Sequence, residues 1–206
     1  MARTYPHIPF ERYADDIICH CKSAEEARAL WGALADRFAA CKLVLHPQKT
    51  KIVYCKDANR RGDFPSQSFD FLGFSFRARK TLWQGHIHTH GFLPAARPKA
   101  LTSISRAIRR WALHHHSDKS LQDLAKTYNP YIEGWINYYG QFYRTHLRPT
   151  LKRIDVYVIR WARRKFKRLR HKTKGARDWF ERLRRANPAP SHHGQLCHGD
   201  ARTSAA

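Results

Sequence analysis

Short apolar runs separated by turn residues fill the first third of the chain. Residues 8–13 and 17–19 are largely apolar and β-prone, and the polar pair Asp15 and Asp16 lies between them. This pattern is typical of two strands joined by a tight turn. We therefore predict a β-hairpin over 8–21 with the two carboxylates at its tip.

Helical and strand-like patterns follow this hairpin. Ser23 can cap a helix whose apolar residues recur at helical spacing through about residue 40. Short apolar runs at 43–45 and 51–54 predict strands, and the polar stretch 56–68 predicts a loop. Alternating aromatic residues over 69–76 predict a strand or hairpin that a ligand backbone could approach at its glycine.

The spacing becomes helical after a boundary that we place near 85–97. Ile104, Ile108 and Trp111 fall on one face of a predicted helix. Serine and proline at capping positions predict three more helices, over 117–128, 131–142 and 149–170.

These patterns divide the chain into three segments. Residues 1–90 combine strands with a helix, and residues 91–186 form a predicted helical bundle. Residues 187–206 contain proline, histidine and serine but little apolar content, so we predict a disordered tail. The predicted fold class is α+β.

The positive charge is concentrated in the helical segment. The chain carries 39 Lys and Arg against 16 Asp and Glu, a formal net charge of +23. Residues 91–186 hold 24 basic and 6 acidic side chains, against 14 and 9 in residues 1–90. We expect a polyanion such as nucleic acid as the partner, bound through phosphates with an affinity that salt weakens.

Cysteine usage and apolar content exclude other classes of protein. The five cysteines form no Cys-x-x-Cys pair, which favours a reducing compartment, and strand alternation explains Cys19 and Cys21 better than a metal site does. No apolar run reaches the roughly 20 residues of a membrane span. We expect a cytoplasmic protein without a membrane partner.

Two histidine clusters lack the acidic or cysteine neighbours of a metal site. The histidines at 86, 88 and 90 alternate in a strand-like stretch. The triplet 114–116 follows a predicted helix, whose carbonyl end interacts favourably with protonated imidazole.

Adjacent carboxylates at a rigid turn can serve phosphoryl transfer. In such sites hard oxygen ligands hold two Mg²⁺ ions roughly 3.5–4 Å apart. Because successive strand residues point to opposite faces, we expect Asp15 to be the principal metal ligand and Asp16 a secondary one. A solvated hairpin turn is the alternative interpretation.

Several motifs occur in an order that identifies a family. They are Phe10-Glu11-Arg12-Tyr13-Ala14-Asp15-Asp16, the run 43–51, the run 69–74, and a downstream segment that includes Gly134-Trp135-Ile136-Asn137-Tyr138-Tyr139-Gly140. Over residues 8–186 the chain resembles a group II intron reverse transcriptase. Its downstream segment resembles the maturase-specific region, domain X, of that family.

The resemblance implies roles in DNA synthesis for several residues. Tyr13 would lie beside the incoming nucleotide or primer end, and Asp15 and Asp16 would bind the Mg²⁺ ions. Lys49 would lie near the triphosphate, where a cation could stabilise developing charge or protonate the leaving pyrophosphate. A solvated Lys49 is the alternative.

The resemblance also implies an architecture. A partial polymerase palm, made of a β-hairpin, a helix and antiparallel strands, would precede an all-α thumb and maturase bundle. Phe71, Leu72 and Gly73 would form the primer grip, and a place in the sheet core is the alternative role for these residues.

The basic residues of the helical segment are the predicted ligands of intron RNA and of the RNA/DNA template-primer. They would bind chiefly through phosphates. These residues are Arg106, Arg109, Arg110, Arg153, Arg160, Arg163, Arg164, Lys165, Lys167, Arg168 and Arg170. Aromatic residues among them, including Trp111, Trp135 and Trp161, could stack on unpaired bases or pack in the core.

The family places a fingers region and a first metal-binding carboxylate upstream of the Tyr-Ala-Asp-Asp motif, which here begins at residue 13. We therefore expect an incomplete two-metal site that an N-terminal half could complete. Three hypotheses stay open. The first is a truncated reverse transcriptase/maturase, whose parent activities are RNA-directed DNA synthesis, splicing assistance and intron mobility. The second is a stand-alone RNA-binding maturase module, and the third is a gene remnant without function.

Overall fold

A computed structural model describes residues 4–56, 62, 64–83 and 86–186, without the side chains of 81–83 and 86–90. The strands are β1 (Phe10–Tyr13), β2 (Asp16–Cys19), β3 (Ser68–Phe71), β4 (Phe74–Trp83) and β5 (His86–Ala96). The helices are α1 (Ala24–Ala40), α2 (Pro98–Arg110), α3 (Leu121–Tyr139), α4 (Arg148–Lys165) and α5 (Thr173–Ala186). The chain is α+β, as predicted.

The chain forms two compact units. The first unit comprises Met1–Leu72 and Phe76–Phe92, and the second comprises Gly73–Ser75 and the chain from Leu93 onward. Helices α2 to α5 all belong to the second unit. The predicted tail, 187–206, lies outside the described residues.

The predicted first hairpin is confirmed. Strands β1 and β2 pair antiparallel with Tyr13 opposite Asp16, so Ala14 and Asp15 form a two-residue turn. Ala14 has a φ of 52°, in the left-handed region that tight hairpin turns use. Arg12 Nε donates a hydrogen bond to the Ala14 carbonyl oxygen at 2.9 Å, which fastens the turn.

Helix α1 begins at the predicted cap, but the first unit buries little apolar surface. Ser23 Oγ accepts a hydrogen bond from the Glu26 backbone N–H at 3.1 Å. Among the described residues of this unit, Ile8 and Leu30 are the buried apolar side chains. Val44 is 88% exposed.

The predicted strands at 43–45 and 51–54 are wrong. After α1, Lys42 adopts a φ of 57°, and the Leu43 N–H donates back to the Phe38 carbonyl at 2.8 Å. Neither segment pairs with another strand in the described part of the chain. A strand needs a neighbouring ladder for its backbone groups, and apolar composition alone does not supply one.

The aromatic alternation at 69–76 belongs to a hairpin, as the sequence allowed. Strands β3, β4 and β5 form a sheet in that order. Leu72 and Gly73, with φ of 47° and 79°, make the two-residue turn between β3 and β4. Phe69 stacks on Phe76 and Phe92, with centroids 4.8 and 5.7 Å away, so the alternating aromatic residues pack across the three strands.

Helix α4 is the centre of the second unit. It packs against α2, α5 and the 3₁₀ turn at 113–115. The predicted apolar face is confirmed, because Ile154, Val158 and Trp161 are buried. Their neighbours from α2, α3 and α5 complete one continuous apolar core.

Helix α3 replaces the two helices predicted over 117–128 and 131–142. It continues through Pro130, which removes one backbone hydrogen bond and normally ends a helix. Asn129 and Ile132, on either side of the proline, are buried. Tertiary packing therefore holds the two halves in line, and the cap is Ser120 rather than Ser117.

The predicted helix over 149–170 is too long. Helix α4 ends at Lys165, Phe166 is extended, and a 3₁₀ turn follows at 167–169. Helix α5, which was not predicted, then completes the core. Its apolar residues do have helical spacing, at Ala176, Trp179, Phe180 and Leu183.

We predict that Ser120→Ala lowers the free energy of unfolding by about 1 kcal/mol, because Ser120 and Asp123 form a reciprocal capping box. Ser103→Ala, at an exposed position of α2, should leave the free energy unchanged or slightly raised, since alanine favours helix. Chemical denaturation measures both values. Equal effects of the two substitutions would contradict the capping role.

Candidate nucleic-acid interface

The hairpin β1–β2 brings three predicted site residues together. Tyr13 and Asp16 are a cross-strand pair and therefore share one face of the hairpin, while Asp15 occupies the turn. Tyr13 is 62% exposed, and both carboxylates are exposed. The tip is thus open to a ligand.

Asp15 and Asp16 fit part of a magnesium site. Mg²⁺ binds six oxygen atoms and commonly takes one or two from carboxylates and the others from water and substrate phosphates. In the part of the chain that the structure describes, no group of three or more His, Cys, Asp or Glu could hold a metal ion. The hairpin tip therefore offers two hard donors, Asp15 in the turn and Asp16 at the start of β2, of the six that Mg²⁺ needs.

Lys49 lies in a separate turn rather than beside a strand. The N–H groups of Lys49 and Thr50 donate to the His46 carbonyl at 3.2 and 2.9 Å. Its ammonium group is exposed and forms no ion pair with a described carboxylate. The structure shows no contact between Lys49 and the hairpin tip.

Phe71, Leu72 and Gly73 end β3 and turn into β4. A Cβ atom on Gly73 would lie 3.2 Å from the Tyr139 hydroxyl, and the Gly73 carbonyl accepts a hydrogen bond from Arg97 N–H at 3.0 Å. Gly73 therefore allows the Tyr139 side chain of the same unit to come close. The sequence had instead suggested that a ligand backbone would approach this glycine.

Helix α2 carries exposed cations without neutralising neighbours. Arg106, Arg109 and Arg110 are exposed, and none of them forms an ion pair with a described carboxylate. The helix contains no acidic residue. Its outer surface is therefore available to an anionic partner.

The last turn of α4 uses its cations inside the protein. Arg164 Nη1 donates to the His114 carbonyl at 3.1 Å, and Lys165 Nζ donates to the Ser117 and Lys119 carbonyls at 3.0 and 2.8 Å. Arg163 donates from Nε and Nη2 to the Arg170 carbonyl at 3.3 and 3.2 Å. These three predicted ligands thus have a structural task that the sequence did not reveal.

The other predicted cations are on the surface. Arg153 and Arg160 lie on the exposed side of α4, and the rest follow that helix. The predicted cations that follow α4 are Lys167, Arg168 and Arg170, and all three are exposed. Sequence reasoning missed the exposed cations of α5, which are Lys174, Arg177, Arg182 and Arg185.

The aromatic residues among these cations pack mainly on the protein. Trp161 is fully buried and donates from Nε1 to the His116 carbonyl at 2.9 Å. Trp111 stacks on Tyr128 and on Trp135, with centroids 4.6 and 5.4 Å away. The structure thus favours packing over base stacking for these indoles.

Asp155 on α4 is an unforeseen ionisable group. Arg184 Nη1 lies 3.7 Å from its carboxylate, and the Asp155 side chain is 26% exposed. Burial raises the pKa of Asp155 to about 6, with Glu181 adding to the rise and Arg184 and Lys152 opposing it. The carboxyl group therefore titrates near neutrality although a guanidinium is close.

Two protein families match the chain. Residues 101–180 match the family described as group II intron, maturase-specific domain, and residues 1–76 match the family described as reverse transcriptase (RNA-dependent DNA polymerase). No curated protein and no solved structure matches the chain. Within the described residues, no helix is both long and apolar enough to cross a bilayer, and none of the four cysteines is in a disulfide.

We predict that Asp155→Asn stabilises the protein at alkaline pH. The folded state binds a proton more tightly than the unfolded state between about pH 4 and about pH 6, so wild-type stability falls as pH rises through this window. The variant should be more stable above pH 7 by on the order of 2 kcal/mol, and the difference should vanish near pH 4.

Thermal and chemical denaturation across this pH range test the expectation. Asp178→Asn, at an exposed position of α5, is the matched control and should show no such dependence. A pH-independent difference for Asp155→Asn would refute it.

Proposed function

The chain belongs to the group II intron reverse transcriptase/maturase family, and on this premise we propose that its helical unit binds intron RNA through the phosphate backbone. This activity corresponds to the maturase role in splicing. We place it in the cytoplasm.

The uncompensated charge of the helical unit carries this proposal. Helix α2 has no acidic residue, and Asp155 is the only one on α4. Arg106, Arg109 and Arg110 project from a helix whose opposite side, at Ile104 and Ile108, is buried in the core. Exposed cations of this kind bind phosphates and release counterions, which makes affinity fall with salt.

We predict that the triple variant Arg106→Gln/Arg109→Gln/Arg110→Gln binds RNA at least tenfold more weakly. Each lost phosphate contact should reduce the slope of log affinity against log salt concentration by about 0.9 on duplex RNA, by analogy with B-DNA. Fluorescence anisotropy with a labelled RNA hairpin, over a range of salt concentrations, measures both quantities.

The matched control is Arg177→Gln/Arg182→Gln/Arg185→Gln on α5. It removes the same charge from a helix that also carries Asp178 and Glu181, so we expect a smaller loss of affinity and of salt dependence. Identical losses in the two triple variants would mean that only net charge matters. Absence of RNA binding by the wild-type chain would refute the proposal.

RNA-directed DNA synthesis is the second candidate function, and the geometry of the hairpin tip favours it. Asp15 and Asp16 are adjacent and exposed beside Tyr13, at a turn that the Arg12 hydrogen bond stabilises. These carboxylates would hold Mg²⁺, which, when bound, neutralises charge on the phosphates of the substrate. Lys49 would supply a cation to the triphosphate.

The primer grip remains a proposal for Phe71, Leu72 and Gly73. Leu72 is 38% exposed at the β3–β4 turn, where a primer strand could rest on it. Gly73 contributes the turn geometry, and Phe71 is half-buried.

The first unit also supports the proposal that further palm polypeptide packs on it. Tyr13, Ile17 and Val44 are exposed by 62%, 43% and 88%. Exposed apolar side chains and unpaired strand edges are typical partners of additional strands. An N-terminal palm half would cover them and supply the remaining acidic ligand. Intron mobility would then depend on both RNA binding and DNA synthesis.

The continuous core of the second unit argues against the alternative of a gene remnant without function.

We predict primer extension on an RNA template only when an N-terminal reverse transcriptase half is added. In that mixture, Asp15→Asn should abolish extension, because the substitution removes a metal-binding charge. Asp36→Asn, at an exposed position of α1, is the matched control and should keep it. Full extension by the Asp15→Asn mixture contradicts the catalytic role, and RNA binding by either variant should be unchanged.

A further inference from the structure

Four nitrogen-bearing side chains meet where the 3₁₀ turn at 113–115 packs on α4. We call His114, His115, Arg160 and Arg164 the cationic cluster. The two imidazole centroids are 4.2 Å apart. Arg164 Nη1 lies 3.1 Å from both the His114 carbonyl oxygen and His115 Nδ1, so the guanidinium is held against the turn.

The charge of the cationic cluster is not compensated within the described protein. The Arg160 guanidinium lies 5.5 Å from the centroid of the Tyr157 ring and forms no ion pair there. Arg164 Nε and Nη2 donate to no acceptor among the described residues. Both guanidinium groups are exposed and keep donors for an incoming anion.

The surroundings of His114 oppose its protonation in the protein alone. Arginine can only donate, so His115 Nδ1 accepts the hydrogen bond from Arg164 Nη1. His114 Nδ1 is buried and has no partner in the described part of the chain. Burial, and then the neighbouring His115, Arg164 and Arg160, hold the pKa of His114 below its ordinary value.

An anion would reverse this balance. Among the described residues, the groups that face His114 are His115 from its own turn and Tyr157, Arg160 and Arg164 from α4, and none of these is a carboxylate. A negative charge placed between the arginines would favour the protonated form of His114. Proton uptake would then accompany anion binding.

We propose that the cationic cluster binds one backbone phosphate of RNA and that His114 takes up a proton when the phosphate arrives. The inference rests on the proposed RNA binding and deepens it, because it assigns one contact and makes that contact pH-dependent. An RNA phosphate suits the site better than an isolated ion, since the exposed Arg153 extends the positive surface along α4.

The first test compares RNA affinity at about pH 8 and about pH 6 at constant salt. With the full chain and a labelled RNA hairpin, wild-type affinity should rise roughly tenfold at the lower pH, because the His114 imidazole gains charge beside the bound phosphate. His114→Gln/His115→Gln should lose most of this rise. His171→Gln, an exposed histidine preceding α5, is the control and should keep it.

The second test uses exposed arginines, so it does not depend on the folding of the histidine variant. Arg160→Gln should reduce the slope of log affinity against log salt concentration by about 0.9, the value for one phosphate contact. Arg28→Gln, at an exposed position of α1 where Glu25 lies 3.8 Å away, is the control and should leave the slope unchanged. A full pH response in the double histidine variant, or an unchanged slope in Arg160→Gln, overturns the inference. If the α2 triple variant still loses affinity in that case, RNA binding itself stands and only this site fails.

Discussion

The docking of the last turn of α4 on residues 113–119 is the interaction on which the helical unit depends. Residues 113–119 lie in the connection between α2 and α3, outside any strand or α-helix, so local backbone hydrogen bonds satisfy only some of their carbonyl groups. Trp161, Arg164 and Lys165 supply further donors, at 2.8 to 3.1 Å, from positions 45 to 50 residues away in sequence. The same turn of α4 places Trp161 in the core, where it contacts Phe166 and Trp179. One helical turn therefore joins the core to the connection between helices.

This docking also determines which cations are free for a partner. Arg163 and Lys165 are half-buried and bound to carbonyl groups, while Arg160 is exposed on the adjacent side of the helix. Carbonyl oxygens are neutral, so each of these hydrogen bonds orients a cation without cancelling its charge. Phosphate binding is therefore left mainly to exposed cations such as Arg160, while the bonded cations contribute a positive charge that is fixed in position.

The two units differ in what stabilises them. In the second unit, Ile108, Val158 and Trp161 are completely buried within a core shared by four helices. In the first, Ile8 and Leu30 are the buried apolar side chains among the described residues. Apolar burial is the dominant stabilising contribution in folding, so the helical unit can sustain a rigid binding surface by itself. The hairpin tip instead owes its shape to local geometry: a two-residue turn and the bond from Arg12.

Local signals were enough for the elements that local physics controls. The hairpin around Asp15, the Ser23 cap and the apolar face of α4 at Ile154 and Val158 follow from turn chemistry, capping and periodicity, and the structure has them where the sequence predicted. The ordered motifs also identified the family. Tertiary structure alone decided where the other predictions failed. Residues 43–45 form no strand because they have no neighbouring strand to pair with. Helix α3 continues through Pro130 because residues on both sides of the proline are buried. Tertiary structure also decided which cations face solvent, since the carbonyl acceptors lie some 50 residues from their donors and no local pattern encodes that distance.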